Sequence, residues 1–379
     1  MELTVTAKIQ IQADDNRDIL LQTMKRYTEA CNFVSDYVFK THDLVQSSLN
    51  KHLYYDLRKS FGLRSQMTQS VMRNVIACYK TILENQHEWI KPDFKRLQYE
   101  LVWNRDYSLV NDTFSVNTLN GRVKCSYYKA YVQKYFDKSI YRFGSAKLVY
   151  RHKKFYLHVP VSFDTDDCNL SDVRNVAGVD LGINFIAVSY NSSHVTRFYD
   201  GHVIKHKRAY YKNLRKQLQQ VRTPSSRRRL KAIGSRENRW IQDVNHCISK
   251  ALVESNPERS LFVLEDLTGV RRSTEKVCLK NRYVSVSWSY YDLAEKITYK
   301  ALCKGSMVIK VDPRYTSQTC PCCGHTEPSN RDKRNHLFTC KACGYKSNDD
   351  RIGAMNLYRK GIEHVSASVP DTVALEQIS

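Results

Sequence analysis

The chain is short of acid. Thirty-eight Asp and Glu stand against 60 Lys and Arg in 379 residues, a net charge of +22. An excess of that size points to a polyanionic partner, either nucleic acid or an anionic membrane face. The sequence also lacks any run of about 18 apolar residues, so nothing in it reads as a bilayer span. Its opening, MELTVTAKIQIQADD, has no basic start followed by a long apolar stretch and does not read as a secretory signal. Nucleic acid is therefore favoured over membrane. A disulfide framework is missing too. Five of the 12 cysteines crowd into residues 320–343, and the other seven are scattered, mostly among apolar neighbours. That pattern suggests a reducing cytosol, one metal cluster and ordinary buried thiols.

What is present changes texture along the chain. MELTVTAKIQIQ alternates apolar and polar residues as a half-buried strand does. Leu20, Met24, Tyr27, Cys31, Val34 and Val38 then recur at helical spacing, as do Met67, Val71, Val75, Cys78 and Ile82. Both stripes read as core packing between helices. From about 95 to 163 come short alternating runs divided by Asn, Asp and Gly, a β-rich region full of Tyr, Arg and Lys. DTDDCNLSDVRN reads as a linker. Short strands follow, and then residues 203–240, with thirteen Lys or Arg and the single acid Glu237. Such one-signed charge favours phosphate contact over a merely solvated face. The second helix of this stretch is expected to turn Trp240, Val244, Cys247 and Ala251 inward. SLFVLEDL and SMVIKVDPRY read as buried strands separated by a helix that Gly305 closes.

Cys320 and Cys323 form one C-x-x-C, and Cys340 and Cys343 form another. Each pair fits one tight turn, with Gly324 and Gly344 after them. Two such turns facing each other make a tetrahedral thiolate cage for Zn²⁺. Cys322 cannot share that geometry, and His325 and His336 are weaker substitutes. Four cysteines fill the coordination sphere, so this zinc is expected to be structural, and the chemistry must lie elsewhere.

The element order supplies a place for it. Asp180 closes a strand in GVDLGI, Glu265 and Asp266 close a later strand, and Asp349 and Asp350 open the last helix. Strand, strand, strand, helix, strand, helix, strand, helix is the order of a ribonuclease-H-like α/β fold, in which the first and fourth strands lie side by side. Acids on them converge, and the last helix brings a third. Convergent carboxylates repel one another without cations, and hard oxygen donors suit Mg²⁺. Two such ions stabilise the attacking and leaving oxygens of phosphodiester hydrolysis. Taken singly, each acid also reads as a turn cap or an ion-pair member.

GVDLGI, LEDLTGV, YTSQTCPCCG, FTCKACGY and NDDRIGAMNLYR together resemble TnpB, the transposon-encoded OrfB proteins, which are similar to the compact type V CRISPR effectors. The likeness covers about residues 175–361; residues 1–165 match in layout only. It implies an RNA-guided endonuclease that cuts double-stranded DNA beside a short adjacent motif. The implied fold is a multidomain α/β chain. A wedge-type β-barrel spans 1–12 and 90–165 and is interrupted by a helical recognition lobe at 13–89. A linker at 166–175 leads to a RuvC-like nuclease at 176–315 and 346–362, with a zinc ribbon inserted at 316–345 and a flexible tail at 363–379. The implied catalytic triad, holding Mg²⁺, is Asp180, Glu265 and Asp350. Asn348 stands where the family often has Asp, Asp349 takes the usual Arg position, and Gly353 stands where Ala is common. Asp349 competes with Asp350 for the third place. Counted along the helix, Ala354 and Leu357 share the Asp350 side, which leaves Asp349 to cap the helix or meet solvent. Lys212, Arg215, Arg227, Arg228 and Arg229 are expected to meet phosphates. The implied partners are a guide RNA from the transposon end and target DNA, with one protein copy per RNA, in a prokaryotic cytoplasm. Two alternatives are a guide-independent transposase or structure-specific nuclease, and a non-catalytic zinc-ribbon regulator.

Overall fold

The computed structural model describes residues 1–110, 112–129, 132–137, 139–182, 184–266, 290–332 and 334–368. The chain divides into two compact units, Met1–Asp164 and Thr165–Ser379.

The first unit is built on a curled sheet. Its strands are β1 (Glu2–Gln12), β2 (Gln98–Leu101), β3 (Tyr107–Val110), β4 (Thr113–Thr118), β5 (Gly121–Tyr127), β6 (Tyr141–Phe143), β7 (Ala146–Arg151) and β8 (Lys154–Asp164). They run in the order β2-β7-β8-β1-β5-β4-β3, with β6 also on β8. β1 pairs with β8 from Glu2 to Ile11, and its last residues also pair with β5. One long strand shared between two partners in this way bends the sheet. The period-two pattern puts Ala7, Ile9 and Ile11 inside. Between β1 and β2 the chain forms α1 (Arg17–Thr41), α2 (Gln46–Phe61) and α3 (Ser65–Glu84). The helical stripes on α1 and α3 join the inner faces of the strands in one core, with Cys78 and Ile82 at its margin. Buried hydroxyls there are paired: Tyr27 with Ser70 at 3.1 Å, and Ser35 with Tyr79 at 3.2 Å.

The second unit holds a five-stranded sheet in the order β11-β10-β9-β12-β13. The strands are β9 (Asn175–Asp180), β10 (Phe185–Asn191), β11 (Thr196–Asp200), β12 (Ser260–Glu265) and β13 (Met307–Val311). β12 is parallel to both β9 and β13, while β10 is antiparallel to β9. Basic helices α4 (His202–Val221) and α5 (Pro224–Ile233) lead to α6 (Arg236–Glu254), and α7 (Tyr290–Cys303) follows β12. After β13 a small sheet of β14 (Arg331–Asp332), β15 (Leu337–Thr339) and β16 (Lys346–Asn348) runs directly into α8 (Asp349–Ser368). Alternation along β12 divides its side chains between the two faces. Phe262 and Leu264 pack with Ile241, Leu252 and Leu293 of α6 and α7, whereas Leu261 and Val263 pack with Leu357 and Val365 of α8. α8 lies unusually close to β9. A Cβ on Gly178 would stand 2.1 Å from the Ala354 carbonyl oxygen, and one on Gly361 would stand 2.6 Å from Val176 and Val263.

Four expectations change here. α6 buries Ile241, Asn245, Ser249 and Leu252, while Cys247 and Ala251 are exposed, so its inner face is rotated from the one read in the sequence. β13 is an edge strand and only half-buried. The stretch read as a linker at 166–175 is packed: Val173 is buried, with Cys168 and Leu170 against the same core as α8. α8 continues through Ser368 with Val365 buried, so the chain is helical past 363. The rest of the expected tail lies outside the described residues, as do Ile183 of GVDLGI and the last four residues of LEDLTGV.

Candidate metal centres and basic surface

Asp180 and Glu265 are the last residues of β9 and β12, one step beyond the parallel pair Val179–Leu264, so the two acids leave the sheet side by side. Asp350 opens α8, and Gly353, one turn on, lies against the Asp180 carboxylate: a Cβ there would be 3.0 Å from its Cγ and Oδ2. All three carboxyls titrate above their ordinary range. Burial pushes Asp180 up most, and the charges of Glu265 and Asp350 add to it. Burial raises Glu265 as well, against an opposing hydrogen bond of 2.6 Å from the Thr316 hydroxyl. Burial and the neighbouring Asp349 raise Asp350. Hard oxygen donors that repel one another are the donor set that suits divalent cations such as Mg²⁺. The trio does not close into a single-ion cage. The acidic group whose ligand atoms lie within 4.8 Å of one another is His336, Asp349 and Asp350.

Asp349 is neither a solvent-facing cap nor exposed. It is fully buried and accepts a 2.7 Å hydrogen bond from Arg331 Nε, with His336 Nδ1 at 3.5 Å. Arg331 also reaches Asp350 at 3.8 Å and lowers the proton affinity of all three acids. The side of α8 that carries Asp349 is packed as well. Asn356 is buried and donates to the carbonyls of Thr316 and Thr319 at 2.7 and 2.8 Å. Arg331, Thr316, His336 and Asn356 are the residues that sequence reasoning did not assign to this site. YTSQT carried Thr316 in plain view, but Arg331, one of several charged residues in NRDKRN, carries no local signal.

The four knuckle cysteines gather as a set, with all ligand atoms within 4.8 Å. Cys320 and Cys343 sulfurs are 3.6 Å apart, and those of Cys323 and Cys340 are 3.5 Å apart. Tetrahedral thiolates at 2.3 Å from one ion would be spaced by about 3.8 Å, so the cluster has the dimensions of a metal site. The backbone N–H of Cys343, 3.4 Å from the Cys340 sulfur, draws that thiol down to about 6, whereas Cys323 and Cys343, crowded by the neighbouring sulfurs, stand above the ordinary thiol range. Gly324 and Gly344 each take positive φ, 77° and 73°, in the two tight turns. Cys322 is exposed and outside the cluster, and His325 faces Glu327 instead.

The basic stretch divides in two. Arg227, Arg228 and Arg229 are exposed on α5. Arg215 instead forms an ion pair with Glu237, as does the buried Arg208, and Glu237 is itself only 2% exposed. The single acid of the stretch thus holds α4 to α6, which takes Arg215 out of the freely presented set. Lys212 is half-buried on α4.

The Cas12f1-like, TNB domain family matches residues 290–357, from α7 through the knuckle and into α8. The chain is 32% identical over 208 residues to a CRISPR-associated endodeoxyribonuclease Cas12f1 of Syntrophomonas palmitatica, covering 51% of this chain and 40% of that protein. The chain resembles Cas12f1 and TnpB-like proteins. A TnpB-like protein of Methanocaldococcus jannaschii is 28% identical over 186 residues, 45% of this chain and 66% of that one. The chain spans about half the length of the first curated relatives it matches, 40% and 56%. The Cas12f1 of a solved Cas12f1-sgRNA-target DNA complex shares the mixed α/β fold at 14% identity, with a TM-score of 0.63 over 91% of this chain and 82% of that one. Among the described residues no helix is long and apolar enough to cross a membrane.

Proposed function

We propose that this chain is an RNA-guided DNA endonuclease whose second unit is a RuvC-like, ribonuclease-H-type nuclease. The observation that carries the reading is the meeting of Asp180, Glu265 and Asp350 at the ends of two adjacent parallel strands and the start of the helix packed on them. Its relatives' names, endodeoxyribonuclease Cas12f1 and TnpB-like protein, support the same assignment. Asp180, Glu265 and Asp350 would hold Mg²⁺. Bound Mg²⁺ would supply charge for the attacking water and the leaving oxygen of a phosphodiester. The residues' own part is to fix donor positions and to balance charge. Thr316 orients Glu265, Gly353 leaves Asp180 room beside the helix, and Arg331 offsets the excess negative charge. The four-cysteine knuckle would hold structural zinc, and Arg227, Arg228 and Arg229 would meet phosphates, with Lys212 beside them. The curled sheet of the first unit would be the wedge and its three helices the recognition lobe. The guide would come from the transposon end, one copy per protein, in a prokaryotic cytoplasm.

The test is to express the chain with its native flanking DNA, sequence any copurifying RNA, and offer plasmids matched to that RNA in Mg²⁺. The expected result is a discrete RNA and cleavage confined to matched plasmids. Cleavage indifferent to the RNA would instead identify a guide-independent nuclease, and binding without cleavage a regulator.

A further inference from the structure

Residues 316–319 end the segment that runs from β13 to the first knuckle cysteine, and each of the four is held from outside that stretch. The Thr316 hydroxyl lies 2.6 Å from Glu265 Oε1, and its carbonyl accepts from Asn356. Arg331 donates to the Ser317 hydroxyl at 2.9 Å, and Asn330 donates to the Gln318 carbonyl at 3.1 Å. The Thr319 carbonyl accepts from Asn356, and its hydroxyl meets that of Thr326 at 2.9 Å. The partners come from three places: the strand that carries Glu265, the helix that carries Asp350, and the cysteine knuckle. The preceding residue, Tyr315, is exposed yet holds φ at +64°, a conformation that aromatic residues rarely adopt. Its carbonyl accepts from both Gln318 and Thr319, so the strained turn is kept by the bonds it completes.

The Thr316 hydroxyl has one proton and two acceptors within reach, Glu265 Oε1 at 2.6 Å and the Pro313 carbonyl at 2.9 Å. An ionised carboxylate is the stronger acceptor, and the distance is that of a charge-assisted bond. With Oε1 engaged, the carboxylate loses its free rotation.

We infer that Thr316 is a positioning residue for Glu265 and that Asn356 ties the same segment to the Asp350 helix, so that closing the cysteine knuckle around its metal tightens divalent-cation binding at the acids. This rests on the nuclease reading above. Partners behind metal ligands commonly change affinity by about 10–100-fold when removed. Coupling of this kind is also reciprocal: a divalent ion at the acids must tighten the knuckle's hold on zinc by the same factor.

The experiment is a Mn²⁺ titration followed by electron paramagnetic resonance on the zinc-replete, RNA-free chain. Thr316→Val is expected to weaken Mn²⁺ binding about 10–100-fold, with Thr316→Ser restoring it to near the parent value. Glu265→Gln calibrates the cluster. If Glu265→Gln weakens binding and Thr316→Val does not, the positioning role is overturned while the nuclease reading stands. If Glu265→Gln also binds Mn²⁺ normally, the reading of the acids as a metal site fails first. Because Thr316→Val can lose its fold, the parent chain gives an independent measurement. Saturating Mg²⁺ should raise the equilibrium zinc affinity, read by competition with a zinc chelator that does not bind Mg²⁺, and Glu265→Gln should remove that gain. A zinc affinity indifferent to Mg²⁺ in the parent chain overturns the linkage.

Discussion

Adding one methyl group at Gly178 should disable the site without touching an acid. Gly178 sits on β9, two residues before Asp180, where α8 crosses. A Cβ there would stand 2.1 Å from the Ala354 carbonyl oxygen and 2.3 Å from the Tyr358 nitrogen. Ordinary contacts lie at about 3.5–4.0 Å, so α8 would have to lift by more than about 1 Å. Neither neighbour can give, because both are backbone and Ala354 and Leu357 are fully buried against the sheet. Overpacking that moves backbone costs about 3 kcal/mol. In a domain of this size that lowers Tm by about 6–12 °C. Asp350 stands one turn before Ala354 on the same helix, so it moves with the lift. A 1 Å misplacement of a catalytic group commonly costs about 100-fold in rate. The assay is a thermal melt of Gly178→Ala beside the parent chain, and then cleavage at equal concentrations of folded protein. A melt within about 2 °C of the parent, with cutting within about twofold, would refute the close crossing of α8 over β9.

Asp180→Asn and Glu265→Gln should each abolish cleavage yet leave RNA and DNA affinity nearly intact, since affinity comes mainly from phosphate contacts; a filter-binding assay run beside the nuclease assay checks both. Asp349→Asn should cost about 2 kcal/mol in a denaturant melt, because it takes the charge out of the buried hydrogen bond with Arg331. Reversing Arg227, Arg228 and Arg229 to Glu should weaken nucleic-acid binding and flatten its salt dependence, and an unchanged slope would reduce α5 to a solvated face. Metal-free protein should lose stability as pH rises above the ordinary carboxyl range near 4. Asp180, Glu265 and Asp350 hold their protons more tightly folded than unfolded, so in that window the unfolded chain binds fewer. Melts at pH 5 and pH 7.5 should differ less in Glu265→Gln than in the parent chain, and an equal difference would count against the raised carboxyls.

The parts of the site written as local pattern were legible in the sequence. Asp180 and Glu265 each end a run of buried strand residues, and the knuckle cysteines announce themselves by spacing. What failed depended on pieces distant in sequence. The inner face of α6 was misread because its buried side includes two polar residues, so the apolar stripe looked rotated. Asn245 donates to Asp292 at 2.7 Å, and the Ser249 hydroxyl accepts from Lys300 at 2.6 Å; both partners lie on α7. Glu237 was visible as the lone acid in a basic stretch, but its capture of Arg208 and Arg215 needs α4 and α6 side by side. Asp349 read as a cap for a similar reason: its partners Arg331 and His336 arrive from the knuckle, 18 and 13 residues upstream.

Helix α8 explains why a cysteine knuckle runs straight into a pair of carboxylates. The helix has two working faces. Asp350, Ala354, Leu357 and Gly361 recur at steps of three and four on the side that meets the sheet, and the small Ala354 and Gly361 among them let it approach closely. Asp349, Ile352, Asn356 and Arg359 form the second stripe. Ile352 packs with Cys320, Phe338 and Cys340, Asn356 holds Thr316 and Thr319, and Arg359 donates to the Pro321 carbonyl at 3.2 Å. Two adjacent residues on a helix diverge by about 100°, so Asp349 and Asp350 serve different faces. Asp350 is delivered to the sheet because Asp349 is anchored to the knuckle. A helix held by the sheet alone could still slide along its axis or rotate. Bonds on the second face remove those freedoms at the end where the third carboxylate must stand. The adjacency of cysteine and acid in the sequence is therefore a mechanical requirement: the shorter the link from Cys343 to Asp349, the less the start of α8 can move.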